Sequence, residues 1–251
     1  MAGSSTRDWD ASTYQRVALP HEDWARAVLD RLGLEGGDTV LDAGCGSGRT
    51  TSIVIERVPD GRVIAVDGSP SMVEKVKEVL RPQDTAIVSD LTKLELDEQV
   101  DAVFSTAVFH WITDHEALFA RMRAALGDGG RFAAQCGGEG NIAALKAVMR
   151  EVGEREPYGE HIADWRPWNY AAPIPTHDRL RRAGFAQARC WRTEERAEPE
   201  DAAGFASTVC LGSHLDRLPE PLRDAYVAEV LQGVGEPLVL EYVRLNIDAR
   251  A

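Results

Sequence analysis

Three glycines at alternating positions, Gly44, Gly46 and Gly48, are the residues of this sequence whose spacing most clearly points to chemistry. They follow the apolar run 39–41, which is typical of a strand buried on both faces, and they precede a helical pattern. Glycine adopts positive φ without strain and lets a ligand approach the backbone closely. The segment therefore predicts a strand, a nucleotide-binding turn and a helix.

The residues around the turn separate the possible ligands. Gly48 is followed by Arg49 and Thr50 rather than by Lys and Ser or Thr, which disfavours an ATP-hydrolysing phosphate loop. The dinucleotide fingerprint would need glycine at position 49. Asp42 beside the turn would repel a pyrophosphate and would attract a ligand that carries an ammonium and a sulfonium. S-adenosylmethionine is such a ligand.

Two further carboxylates stand at the ends of the next predicted strands. Residues 62–66 lead into Asp67, about 20 residues after the glycine turn, and residues 85–89 lead into Asp90. Asp67 can accept hydrogen bonds from ribose hydroxyls, and Asp90 can accept one from an adenine amino group. The alternative interpretation is that each is a loop or cap residue. Ser69 and Pro70 then predict a helix start, as N-cap and first helical position.

Taken together, residues 40–48, 64–72 and 88–91 strongly resemble the class I S-adenosylmethionine-dependent methyltransferases. Residues 101–107 are similar to that family's fourth strand, and residues 127–132 to the turn into its fifth. The resemblance implies an α/β, Rossmann-like, doubly wound sheet of seven mostly parallel strands, with a reversed last strand and a helical cap over the acceptor site. It also implies a single domain over 1–251: an N-terminal lid and helix to about 37, a cofactor core at 38–136, and cap insertions at 137–175 and 194–238.

The same resemblance implies which residues contact the donor, S-adenosyl-L-methionine, and its product, S-adenosyl-L-homocysteine. These are Asp42, Gly44, Gly46, Gly48, Asp67, Gly68, Met72, Asp90, Leu91 and Thr106.

A nearer resemblance concerns the methyl acceptor. Residues 8–14, 109–115 and 180–193 look like trans-aconitate methyltransferases and related small-carboxylate O-methyltransferases. An insect-type group that methylates farnesoic and juvenile-hormone acids has a similar layout, in which an N-terminal Gln and a Trp hold the acceptor carboxylate. Gln15 and Trp111 match those two positions, whereas His110 departs from the polar non-histidine residue usual in the aconitate enzymes. The resemblance implies O-methylation of a small carboxylic acid, either aconitate-like or terpenoid.

Other aromatic residues are candidates for the acceptor pocket. Tyr14 lies in the N-terminal segment, which often closes over donor and acceptor in this family. Trp165 and Trp168 belong to the aromatic, proline-rich run 158–175, which we interpret as an acceptor lid. Ordinary packing of these segments onto the body is the alternative for each.

His110 follows the fourth predicted strand and is the candidate catalytic residue. A histidine can act as a general base near neutral pH or hydrogen-bond an acceptor oxygen, and a structural role is the third possibility. A sulfonium methyl is already activated, so a carboxylate acceptor needs no base, whereas a hydroxyl or carbon acid would need His110 to remove a proton. A non-catalytic S-adenosylmethionine-binding module and, more remotely, a dehydrogenase stay open at this point.

Composition limits the partners. The 251 residues carry a net charge of −13, which disfavours nucleic-acid binding, and there is neither a signal pattern nor a membrane-spanning apolar run. We expect a cytoplasmic enzyme, a monomer or homodimer, that acts on a small molecule. The four cysteines lack C-x-x-C spacing and predict free thiols, with neither a metal site nor disulfides. The 24 arginines against four lysines indicate a GC-rich bacterial source.

The remaining elements follow from hydrophobic periodicity. Helices are predicted over 23–34, 73–80, 116–126, 141–152, 176–183, 201–211 and 219–232, and late strands over 188–193 and 240–247.

Overall fold

Seven strands form one sheet in the computed structural model, which describes residues 21–251. They are β1 Thr39–Ala43, β2 Arg62–Asp67, β3 Thr85–Val88, β4 Val100–Thr106, β5 Leu126–Gly137, β6 Gln187–Ala197 and β7 Leu240–Arg250. The strand order is β3-β2-β1-β4-β5-β7-β6. The first five strands pair in parallel, and β7 runs antiparallel to both β5 and β6. The predicted mostly parallel sheet with a reversed last strand is therefore confirmed.

Helices connect the strands and build a cap. They are α1 His21–Leu32, α2 Arg49–Arg57, α3 Pro70–Val76, α4 His115–Ala125, α5 Ala143–Gly153, α6 Gly159–Ile162, α7 Pro173–Arg182, α8 Ala202–Phe205, α9 Gly212–Leu215 and α10 Glu220–Val234. A single 3-10 turn covers Phe109–Trp111, and a π-helical segment covers Ala206–Cys210. Within residues 21–251, no helix has both the length and the apolar character needed to cross a bilayer.

The inner strands β1, β2, β4, β5 and β7 are mostly buried on both faces, as their apolar runs require, whereas the edge strands β3 and β6 are half-buried or exposed. One face packs against α1 and α2 through a cluster that includes Val28, Val54 and Phe104. The other packs against α4 and α7 through a cluster that includes Phe119 and Leu180. A third cluster, which we call the cap core, joins α5, α6 and α10 to Trp24 of α1 and to the start of β7. The cap is thus packed onto the sheet rather than tethered to it.

This topology decides where a ligand can bind. The chain moves outward from β1 to β3 and then returns to the other side of β1 with β4. The chain leaves β1 toward α2 on one face of the sheet and leaves β4 toward α4 on the other face. Open α/β sheets form their ligand-binding crevice at the carboxyl edge of the strands, at such a reversal. The glycine turn after β1 and the Phe109–Trp111 turn after β4 both lie at this edge.

Several predicted boundaries were wrong. Helix α3 ends at Val76 rather than at residue 80, because the next amides bond three residues back instead of four, as Val79 does to Val76. Helix α7 begins at Pro173, three residues early, since proline is well suited to the first turn. The helix expected over 201–211 is interrupted by the π segment, where Leu211 bonds back five residues to Ala206.

The late strands are also longer than their apolar patterns suggested. Strand β6 runs to Ala197 and β7 to Arg250, paired over their whole length. The second cap segment therefore starts after Ala197 rather than at residue 194.

Candidate active site

The turn between β1 and α2 has the conformation that its glycines allow. Gly44, Gly46 and Gly48 have φ of 89°, 53° and 92°, in the left-handed region. A Cβ added at Gly44 would lie 2.3 Å from a methyl carbon of Val108, so Gly44 is needed for packing against the segment after β4. A Cβ at Gly46 would meet no atom within 4 Å. Gly46 therefore borders open space, as a residue that faces a ligand should.

Asp42 lies beneath this turn and is 1% exposed. Its Oδ2 accepts a hydrogen bond of 2.7 Å from the Thr51 hydroxyl of α2. Burial raises the pKa of Asp42 to about 7, against the effect of Thr51 and with a further rise from the charge of Asp67. A cation placed beside Asp42 would favour the ionised form, so this carboxylate suits a positively charged ligand.

Asp67 ends β2 and closes the turn from the other side. Its Oδ2 accepts from the Gly46 amide at 3.0 Å, and its Oδ1 accepts from the Ser69 amide at 2.9 Å. Burial raises the pKa of Asp67, partly offset by these amides and by that of Gly68. The structure thus brings Asp42, Gly44, Gly46, Asp67 and Gly68 together around one crevice.

The other predicted donor residues, Met72, Asp90 and Leu91, lie in the first turn of α3 and directly after β3. Asp90 forms a turn in which its Oδ1 accepts from both the amide and the hydroxyl of Thr92, at 2.9 and 2.7 Å. Burial alone would raise the pKa of Asp90, but Thr92 and Lys93 bring it below its usual value. Asp90 is therefore ionised and can accept a hydrogen bond. Met72 and Leu91 are buried, at 3% and 5% exposure, so their side chains also serve the core.

The end of β4 lies beside the glycine turn. The Ser105 hydroxyl donates to the Ala43 carbonyl at 2.6 Å and ties β4 to β1. Thr106 is the last strand residue, and Ala107 after it has φ of 60°, a strained value for a residue with a Cβ. The Ala107 amide donates to the Gln135 carbonyl of β5 at 2.8 Å, which holds this conformation. The chain is thereby turned sharply toward His110.

Four aromatic rings form a cluster near the carboxyl end of β4, which we call the aromatic mouth. His110 and Trp111 come from the turn after β4, and Trp168 and Tyr170 come from the segment before α7. The His110 ring centroid lies 5.1 Å from that of Trp111 and 5.7 Å from that of Tyr170. Trp168 stacks on Tyr170 with an 8° angle between the planes and lies 5.9 Å from Trp111. The Lys146 ammonium lies 4.7 Å from the Tyr170 ring centroid. The mouth therefore combines apolar walls with a cation.

His110 is 8% exposed and is held by β5. The Gly137 amide donates to its Nδ1 at 3.3 Å. Because a neutral imidazole has one donor and one acceptor nitrogen, this bond assigns the ring proton to Nε2. His110 in this arrangement presents an N–H donor rather than a basic nitrogen at Nε2.

The other predicted acceptor residues have different outcomes. Tyr14 and Gln15 lie outside the described residues. Trp165 packs in the cap core, where the Arg217 guanidinium carbon lies 4.3 Å from its ring centroid. Over residues 21–251, none of the ring contacts joins Trp165 to the aromatic mouth. Trp111 and Trp168 do lie together in it, and their role in binding an acceptor stays a prediction.

Sequence reasoning missed several residues that shape this site. Thr51 supports Asp42, Val108 packs on Gly44, and Tyr170 lies across Gly137, where an added Cβ would be 2.6 Å from the tyrosine ring. Thr51 and Val108 left no signal because small polar and apolar residues are common everywhere. Tyr170 lay within the aromatic run already singled out as a lid.

Comparison with known proteins bears on this crevice. Residues 40–130 match the family model described as a methyltransferase domain, which spans β1 to the start of β5. Over 234 residues the chain is 30% identical to the trans-aconitate 2-methyltransferase of Variovorax paradoxus, covering 91% of this chain and 90% of that one. The chain belongs to the class I S-adenosylmethionine-dependent methyltransferases. Within that family it is near the trans-aconitate methyltransferases.

Solved structures agree with the fold of this methyltransferase. The YcgJ protein of Bacillus subtilis has a TM-score of 0.64 at 15% identity, covering 92% of this chain and 98% of that chain. The geranyl diphosphate C-methyltransferase of Streptomyces coelicolor, solved with S-adenosyl-L-homocysteine, has a TM-score of 0.54 at 17% identity, over 91% and 80% of the two chains. At such identities these structures show the fold alone.

Because the chain belongs to this family, its methyl donor is S-adenosylmethionine. The residues around the glycine turn fit this cofactor in kind: Gly46 borders open space, and two carboxylates, Asp42 and Asp67, lie beside the turn. The readings as a non-catalytic binding module or a dehydrogenase are set aside.

Proposed function

We propose that this methyltransferase methylates a carboxylate oxygen of a small organic acid. The geometric observation that carries the proposal is the hydrogen bond from the Gly137 amide to His110 Nδ1, because a ring that accepts at Nδ1 carries its proton on Nε2 and is a donor rather than a base. The overall similarity to an enzyme named for trans-aconitate adds support from an independent direction.

In this proposal the donor residues act as follows. Asp67 holds the ribose hydroxyls, Asp90 the adenine amino group, and Asp42 lies behind the cationic methionyl portion. When bound, S-adenosylmethionine supplies a methyl group that its sulfonium has already activated. The glycine turn and Thr106 contact the donor beside the end of β4.

A carboxylate acceptor does not require a general base among the residues that bind it. A carboxylate is already ionised near neutral pH, so no proton has to be removed before its oxygen attacks. His110 Nε2–H donates a hydrogen bond that orients the acid, and Trp111, Trp168 and Tyr170 exclude water. Gln15 and Tyr14 are proposed to complete the pocket from the N-terminal segment.

The test compares His110→Gln with His110→Ala on a panel of carboxylic acids and phenols with labelled donor. Glutamine keeps an N–H donor but cannot act as a base, so His110→Gln should retain most of the turnover of a carboxylic acid. Removal of the donor in His110→Ala should lower kcat/KM by about tenfold to about a hundredfold. Binding of S-adenosylhomocysteine, measured by calorimetry, should be unchanged in both variants.

The opposite result is equally clear. If the wild-type enzyme methylates only phenols, alcohols or carbon acids, and both variants lose that turnover equally, His110 acts as a base and the carboxylate proposal fails.

A further inference from the structure

Asn169 lies between the two residues that the segment before α7 contributes to the aromatic mouth. Residues 165–170 form neither helix nor strand, so no regular structure fixes them. Trp168 and Tyr170 nevertheless stack with an angle of 8° between their planes, and each ring contacts a ring of the turn after β4. Because irregular backbone is held only by the partners that its polar groups find, the contacts between this segment and that turn decide the shape of the mouth.

Those contacts come from Asn169. Its backbone amide donates to the His110 carbonyl at 2.8 Å. Its side-chain Nδ2 donates to the carbonyls of Ile112 and Thr113, at 3.3 and 3.1 Å. Because carbonyl oxygens only accept, both partners require the NH2 end of the amide to face the turn. One residue thus joins this segment to three carbonyls of the turn that carries His110 and Trp111.

The two rings beside Asn169 are anchored unequally. Ala171 forms a parallel bridge to Gly138, just after β5, and Tyr170 is the residue next to this anchor. Trp168 lies further from the anchor, and its ring reaches the turn at Trp111, 5.9 Å away. The spacing of the two tryptophans therefore depends on the side-chain link more than the position of Tyr170 does.

We infer that Asn169 is a positioning residue of the acceptor site, which sets the spacing between the Trp111 and Trp168 walls of the aromatic mouth. The inference rests on the proposed function in taking the mouth as the acceptor site, and it is independent of which atom is methylated. Methyl transfer needs the acceptor atom in line with the sulfonium methyl, so a displaced wall lowers the fraction of aligned complexes. Asn169 acts in this role through the two rings.

The experiment compares the wild type with Asn169→Asp and Asn169→Ala. Aspartate has the shape of asparagine but presents only oxygens to the two carbonyls when ionised, so it removes the link without opening space. Gln99→Glu and Gln99→Ala are the matched controls, because Gln99 Nε2 donates to the Leu126 carbonyl at 3.2 Å, beside the amino end of β4. The acceptors trans-aconitate, hexanoate and p-cresol are measured with labelled donor.

Trp111 and Trp168 supply a signal that does not depend on turnover. Two indoles at 5.9 Å, with their planes tilted by 52°, couple their ultraviolet transitions and give a pair of circular-dichroism bands of opposite sign. Trp168→Phe removes these coupled bands and so identifies them. Melting temperature and S-adenosylhomocysteine binding are measured for every variant.

We expect Asn169→Asp to lose most of the coupled bands and to lower kcat for the acceptor that the wild type uses by about tenfold to about a hundredfold. The KM should rise less, because the acceptor still enters but is aligned less often. Asn169→Ala should lower kcat by about threefold to about tenfold, since it removes two hydrogen bonds without adding repulsion. Donor binding should stay at the wild-type value, and melting temperature should match that of the Gln99 variants.

Several outcomes would overturn the inference. It falls if Asn169→Asp keeps either the coupled bands or the wild-type kcat, and it falls if Gln99→Glu loses both as well. If Asn169→Asp loses melting temperature and donor binding together with kcat, Asn169 supports the whole domain and the inference falls.

The acceptor panel separates the inference from the function on which it rests. If the wild type methylates p-cresol and neither acid, the carboxylate proposal falls and kcat for p-cresol decides the role of Asn169. If none of the three is methylated, the carboxylate proposal falls and the coupled bands decide: their loss in Asn169→Asp at unchanged melting temperature supports the inference, and their retention overturns it.

Discussion

Asp42 shows how burial prepares a single residue for its ligand. It was singled out because a carboxylate beside the turn suits a cation, and the structure adds that this carboxylate is desolvated and held by Thr51. With a pKa of about 7, it is partly protonated near neutral pH before the donor binds. A cationic ligand should therefore displace its proton.

This predicts that S-adenosylmethionine affinity of the wild type rises by about fivefold between about pH 6 and about pH 7, below the range in which the donor's own ammonium titrates. Asp42→Asn should flatten this rise, because its side chain carries no titratable proton. Calorimetry in buffers of different ionisation enthalpy measures the proton released on binding. Equal pH dependence in the wild type and in Asp42→Asn would exclude Asp42 as the linked group.

The same pKa has a consequence for stability. A carboxyl whose folded-state pKa is raised above its unfolded value binds more protons when folded, so its favourable contribution is present at low pH. That contribution is lost as pH rises from about 4 toward about 7. The free energy of unfolding, measured without ligand over this pH range, should fall more steeply with rising pH in the wild type than in Asp42→Asn.

At the scale of elements, the turn between β1 and α2 combines two kinds of glycine. Gly44 is required by packing, because Val108 occupies the space of its missing side chain. Gly46 has no such packing constraint, because no protein atom lies within 4 Å of where its Cβ would be, and we propose that the donor occupies this space. Substitutions at the two positions should therefore fail for different reasons.

Gly46→Ala is expected to cost only about 1–2 kcal/mol in unfolding free energy, from its positive φ, and to weaken donor binding by about tenfold or more. Gly44→Ala carries the same backbone cost and must also displace Val108, so it should lose several kcal/mol as well as donor binding. Urea unfolding and calorimetry with S-adenosylhomocysteine measure both quantities. Equal losses of stability in the two variants would refute the distinction.

Elements were predicted more reliably than their ends. The helix at 116–126 and the strands at 62–66 and 101–107 lie within a residue or two of α4, β2 and β4, because apolar periodicity and Asp67 mark them locally. The π segment at Ala206–Cys210 had no such mark, since tertiary packing in the cap decides it.

Strand β7 shows where an alternating pattern misleads. Arg244 and Asn246 alternate with Leu245 and Ile247, a pattern that usually indicates a strand with one side facing solvent. Both polar residues are buried in the structure.

At the scale of the whole molecule, the cap core is separate from the two clusters that flank the sheet. Tyr226 of α10 is fully buried in it, packs at 5.2 Å against Tyr158, and donates from its hydroxyl to the Met149 carbonyl at 3.1 Å. The cap carries Trp168 and Tyr170 to the mouth, whereas the glycine turn belongs to the sheet. The donor site and the proposed acceptor site thus depend on different hydrophobic clusters.

Tyr226→Ala is expected to destabilise the cap by about 3–5 kcal/mol and to expose its amides while the sheet stays protected. Hydrogen exchange should show faster exchange in α5 and α10 than in β1 and β4, with acceptor turnover lost and donor binding kept. Phe104→Ala, in the cluster under α1, is the matched control and should loosen the sheet itself. A uniform loss of protection in Tyr226→Ala would mean that the molecule unfolds as one unit.

The sequence by itself determined the donor half of this protein. Gly44, Gly46, Gly48 and the carboxylates after β1, β2 and β3 are recognisable because each belongs to a short segment whose conformation its own residues dictate. Only the tertiary structure decided where the proposed acceptor residues lie, because His110 and Tyr170 come from distant parts of the chain and meet at Gly137. Pairing of β5 with β7 brings Arg244 to that edge, and the cover of α1 buries it; neither can be inferred from local pattern.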